Sequence, residues 1–95
     1  MATLLSGVSS DGAGAGASHS GPCTVTIPND SVFDGAEVHI QIAASDSAAD
    51  YAPAGRKAIL RQPGAVAIDS QGTYFLRALV NKAGSSTSID CTTQQ

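Results

Sequence analysis

The sequence predicts an all-β fold: a small antiparallel β-sandwich of five to seven short strands, preceded by a flexible Gly/Ala-rich N-terminal arm. Three observations predict it. Short runs of alternating polar and apolar residues recur along the chain, Gly and Pro turns separate them, and no helical period persists beyond a turn or two.

Residues 1–22 form the arm, because from Ser6 to Pro22 the chain is dominated by Gly, Ala and Ser, which bury too little apolar surface to fold unaided. It is expected to be mobile in the free protein and to order on a partner. The sandwich domain is 23–95. Its first strand is Cys23 to Ile27, with Cys23, Val25 and Ile27 on one face, ended by Pro28-Asn29-Asp30. Val32 and Phe33 begin or anchor the next connection, and Asp34-Gly35 signals a turn. Glu37 to Ile42 is the clearest strand, with Val38, Ile40 and Ile42 inward.

Ala43 to Gly55 is small and polar around Tyr51, a long loop with at most a helical turn. Arg56 to Arg61, bounded by Gly55 and Pro63-Gly64, reads as a short strand, and Ala65 to Ile68 as another. Thr73 to Val80 sets Tyr74, Leu76, Ala78 and Val80 on one face and Phe75, Arg77 and Leu79 on the other. Both faces carry apolar groups, so this is a central or interface strand. After the turn Asn81 to Gly84, a last strand from Ser86 to Thr92 points Ile89 and Cys91 inward.

A chain of 95 residues holds one domain. Val, Ile, Leu and Phe together number 19, so the core is thin, and help from further copies is expected. The formal charge of −3 and the lack of any basic cluster denser than Arg56-Lys57 with Arg61 argue against a nucleic-acid partner. The opening residues lack the basic start and apolar core of a secretion signal, and no segment approaches the roughly 20 apolar residues of a membrane span. Synthesis in the cytoplasm, with no membrane partner, is the expectation.

Nothing in the motifs supports an enzyme or a cofactor. Asp11 to Gly16 has alternate glycines but lacks the preceding strand and following helix of a phosphate loop, so a flexible linker is favoured. His19 and His39 have no second ligand at metal spacing and read as solvated. Ser45, Asp46, Ser47 and Asp50 lack the glycine and distal glutamate of a calcium loop, which favours turn capping. The serines have no positioned base, and Glu37 with Asp34 sits at a turn, where carboxylates serve local hydrogen bonds.

The candidate interface is Phe75, Arg77 and Leu79. Arg77 is either a surface group whose stem lies over its apolar neighbours or an interface arginine held bidentate by a carboxylate. Cys23 and Cys91 are structural candidates. If the first and last strands pair antiparallel with Cys23 opposite Cys91, then Val25 faces Ile89 and Ile27 faces Thr87, and the thiols come within disulfide reach. Two buried, inert thiols are the alternative.

The order of these features resembles that of the small β-sandwich proteins that decorate, or cement, the outside of tailed-bacteriophage heads. The resemblance rests on Ala2 to Gly7 leading into a Gly/Ala-rich stretch, on Gly35 to Ile42 running into Ala44-Ser45-Asp46, and on the aromatic Tyr51. Thr73 to Val80, the turn Ala83-Gly84-Ser85 and the final alternating strand complete it. It spans nearly the whole chain, and departs from the pattern at Ser47, where Gly is common, and at Tyr51, where Trp is frequent. It implies a virion structural protein on the capsid exterior that binds junctions of major capsid proteins as a homotrimer and stabilises the shell. An immunoglobulin-like or carbohydrate-binding adhesion module, on a virion or cell surface, is the alternative.

Overall fold

The computed structural model describes residues 2–54 and 58–94. Among them are ten strands: β1 (Ala2–Val8), β2 (Gly12–Ala13), β3 (Ala17–Ser20), β4 (Cys23–Ile27), β5 (Glu37–Ala43), β6 (Ala52–Pro53), β7 (Ile59–Leu60), β8 (Gly64–Ile68), β9 (Thr73–Asn81) and β10 (Ile89–Gln94). They make two antiparallel sheets. The first runs β1-β10-β4-β8. In the second, β9 and β5 form the centre, β2 and β3 flank β9, and β6 and β7 flank β5.

The alternation seen in the sequence decides which side of each strand is buried. Val25, Ile27, Ile89 and Cys91 from the first sheet, with Val38, Ile40, Leu76, Ala78 and Val80 from the second, are at most 1% exposed. These are small and mid-sized side chains. A core built from them closes only if the layers are covered along their whole length. At the Phe33–Ala36 turn, Asp34 and Gly35 both take positive φ, as the Asp-Gly pair favours, and Ala36 N–H donates to the Phe33 carbonyl at 2.9 Å.

Several expectations change. The strand expected over 86–92 begins at Ile89 and runs to Gln94. The residues before it bond to the Phe33-Asp34 corner instead: Ser86 N–H donates to Asp34 Oδ2 at 2.9 Å, Thr87 Oγ1 donates to the Phe33 carbonyl at 2.7 Å, and Ser88 forms a bridge with Val32. Of the strand expected over 56–61, β7 is the part in strand geometry, and Arg56 and Lys57 lie outside the described residues. The strand count exceeds seven because β2, β6 and β7 are two-residue fragments and the N-terminal segment adds strands of its own.

That segment pairs with both sheets. β1 pairs with β10, burying Leu4 and Leu5, while β2 and β3 pair with β9. Composition averaged over Ser6 to Pro22 hides what secures it. His19 is 4% exposed, its ring stacked 6.0 Å from Tyr74, with Nε2 2.6 Å from Thr93 Oγ1 and Nδ1 3.0 Å from the Ala17 carbonyl. The Asp11 carboxylate accepts from Ala83 N–H at 2.7 Å, and Gly14 N–H donates to the Ala78 carbonyl at 2.9 Å. The Asp11 to Gly16 run is an edge segment on β9.

The cysteine pairing is also corrected. β4 and β10 are antiparallel neighbours as expected, but Val25 faces Thr93, not Ile89, a slip of four residues. An even slip keeps every inward residue inward, so alternation alone does not distinguish the two registers. Four residues of strand are roughly 13 Å, beyond disulfide reach. Cys23 faces Ile68 and Cys91 faces Leu5. Both thiols are free and buried, burial pushes the Cys91 thiol up to about 12, and the Tyr74 hydroxyl lies 3.4 Å from Cys23 Sγ. Alkylation of unreduced protein in denaturant is therefore expected to label both cysteines, and alkylation of the native fold at neutral pH to spare Cys91. A mass two hydrogens short of the dithiol, with no label taken up in denaturant, contradicts this register.

Candidate protein-interaction face

The residues of β9 that do not enter the core emerge on the outer side of the second sheet, and pairing decides their neighbours. Phe75 lies opposite Ala43, Arg77 opposite Gln41 and Leu79 opposite His39 on β5. On the other flank Phe75 meets Ser18 and Leu79 meets Ala13. All three predicted interface residues thus share one face, and all three are half-buried.

Arg77 is held in place without an acid. Its Nε donates to Gln41 Oε1 at 2.7 Å, and its guanidinium carbon sits 4.2 Å from the centre of the Tyr51 ring. Cation–π stacking of this kind fixes the planar group while leaving its charge uncompensated. Tyr51 comes from the loop after β5, where a short 3-10 turn spans Ala48–Asp50, and its hydroxyl donates to Asp46 Oδ1 at 2.7 Å. Burial, reinforced by that carboxylate, raises the Tyr51 hydroxyl to about 12, so it remains a donor. A side chain at Gly16 would collide with the Tyr51 hydroxyl and the Asp46 carboxylate, so the loop lies tight against the N-terminal segment. Of the two roles weighed for Arg77, the carboxylate partner is missing among the described residues, whose ion pairs all belong to Glu37.

Glu37 gathers the other charges at the end of the same face. Arg61 approaches its Oε2 at 2.9 Å, Lys82 at 4.0 Å, and His39 Nε2 lies 3.3 Å from Oε1. The hydrogen bond from His39 chiefly holds the carboxyl below its ordinary value; partial burial opposes this, and Lys82 and Arg61 add to the lowering. Asp34 instead bonds to the 81–88 turn, so the two acids do not form a working pair. Asp46 and Asp50 accept from Tyr51 and from Ser45, which is the local turn role. His39 is half-buried beside Glu37 and His19 is buried against Thr93, so neither is the solvated group expected.

Among the described residues no cluster of three His, Cys, Asp or Glu could hold a metal, and no helix is long and apolar enough to cross a membrane. An open groove of about 350 Å³, lined by Pro22, Cys23, Thr24, Ala67, Ile68, Asp69 and Gln94, carries a single carboxylate. Nothing there pairs a nucleophile with a base. No family model, curated protein or solved structure matches the chain. What sequence reasoning missed is the Tyr51 platform and the Glu37 cluster, because both join residues far apart in the chain.

The Glu37 cluster makes a pH prediction. A carboxyl held below its usual value near 4.5 in the fold stabilises the fold above that pH, and the contribution disappears as pH falls through the lowered value. Thermal melts of wild type and Glu37→Gln are expected to differ at pH 7 and to converge in acid. A difference that persists unchanged at pH 3 contradicts the assignment.

Proposed function

We propose that this protein is a non-enzymatic binding module: a capsid decoration, or cement, protein on the exterior of a phage head, with the major capsid protein as its partner. The observation that carries the reading is the outer face of β9, where Arg77 lies stacked on Tyr51 between Phe75 and Leu79 with no carboxylate paired to it among the described residues. Arginine and aromatic groups on a semi-apolar ground are the composition of binding anchors, and a carboxylate on a neighbouring surface would complete the pair. The order of sequence features that resembles decoration proteins supports the same reading. Repetition on a symmetric shell lets each copy bind modestly while the array holds firmly.

The adhesion alternative draws less support. A sugar platform needs exposed aromatic faces, yet Tyr74 and Phe33 are buried, Phe75 is half-buried, and the Tyr51 ring is covered by Arg77.

The test is to image particles produced without this protein and then re-supplied with it. Wild type is expected to restore density across the head lattice. Arg77→Ala and Leu79→Asp are expected to weaken binding by about tenfold or more, the range for loss of an interface anchor. Density confined to a tail or fibre, or equal binding by all three proteins, contradicts the proposal.

A further inference from the structure

Among the described residues, three sheet edges are blunted and one is open. β1 is interrupted by register shifts between Thr3 and Leu5 and between Leu5 and Val8, which break a regular ladder. The β9 side of the second sheet ends in β2 and β3, separated by Gly14 to Gly16, and its β5 side ends in the two-residue fragments β6 and β7. Interrupted and very short edges are the usual defences against edge-to-edge pairing. β8 has none of them. It is five residues of Gly-Ala-Val-Ala-Ile, paired residue for residue with β4 from Cys23↔Ile68 to Ile27↔Gly64, and among the described residues it pairs with no other strand.

We propose that this edge binds a second copy of itself, β8 against β8 antiparallel about a two-fold axis at Val66. The sequence suits such a contact. This is the register that pairs all five residues, setting Val66 against its own counterpart, Ala65 against Ala67, and Gly64 against Ile68. Inward residues then meet inward residues, and the exposed positions that meet are both alanine, small enough for close approach. No like charges face each other. The charged residues flanking the strand are Arg61 before it and Asp69 after it, and antiparallel pairing brings the arginine end of each copy to the aspartate end of the other.

The open edge also leaves apolar groups half-covered. Val66 and Leu60 are partly buried against the core, and Leu60 Cδ2 lies 3.8 Å from where a Gly64 side chain would begin. A second copy would cover both. The first sheet would then continue across the axis as eight strands, from β1 of one copy to β1 of the other. The contact lies on the first sheet's edge and the face carrying Arg77 on the second sheet, with Arg61, which pairs with Glu37, lying near both. The pair is an alternative to the homotrimer that the sequence resemblance implies.

Sedimentation of the full chain from one to several hundred micromolar tests this. Wild type is expected to approach about twice the 9.5 kDa monomer mass as concentration rises. Ala65→Lys/Ala67→Lys changes two exposed side chains and sets lysine against lysine twice, so it is expected to remain monomeric with an unchanged far-UV spectrum. Mixing it with Ala65→Glu/Ala67→Glu, itself monomeric, is expected to restore a dimer containing one of each. A wild type that stays monomeric, an oligomer other than a dimer, or a dimer that survives the doubly charged variants overturns the proposal.

Discussion

Thr93 sits where three parts of the chain meet, and the hydrogen bonds of its hydroxyl tie them together. The Ala17 carbonyl beside His19 Nδ1 is an acceptor only, so that nitrogen donates to it, and Nε2 shares a hydrogen bond with the Thr93 hydroxyl. The same hydroxyl oxygen, 3.2 Å from Ala2 N, accepts from that backbone amide. One side chain on a middle strand of the first sheet thus links β1 on its own sheet to β3 on the other. The arrangement matters because the core is made of small side chains and has little apolar surface in excess. Leu4 and Leu5 complete the layer under the first sheet, and His19 with Tyr74 closes the gap between the layers.

Once the inner faces are committed to this core, the remaining surfaces are available for partners. The second sheet presents Phe75, Arg77 and Leu79 outward, stiffened by Tyr51 and bordered by the Glu37 cluster. The first sheet presents an uncharged edge at β8. The decoration role proposed above rests on the β9 face together with the resemblance in the sequence.

Strands with a strict alternation were legible in the sequence: β4, β5 and β9 lie within a residue of where the apolar period put them, and β9 is central because both its faces carry apolar groups. The outward trio on β9 was legible for the same reason. The N-terminal strands were not, because Leu4, Leu5 and His19 are few and spaced among glycines, and their value lies in partners at positions 74 to 93. The β4–β10 register was illegible on principle. A period of two constrains a slip to even numbers and cannot choose among them, so the cysteine pairing rested on a coincidence that a four-residue slip preserves. Tyr51 beneath Arg77 was hidden in a loop with no periodicity at all.

The segment before Cys23 contributes strands to both sheets of the sandwich. Hydrogen exchange of the free chain, resolved to short peptides, measures this most directly, since strand amides exchange slowly only while their ladder is closed. Slow exchange is expected over residues 3–8 and 17–20, comparable with β10, and faster exchange at the exposed Ser9 and Ser10 between them. Rapid exchange throughout residues 2–20, with β4, β5 and β9 still protected, would contradict it.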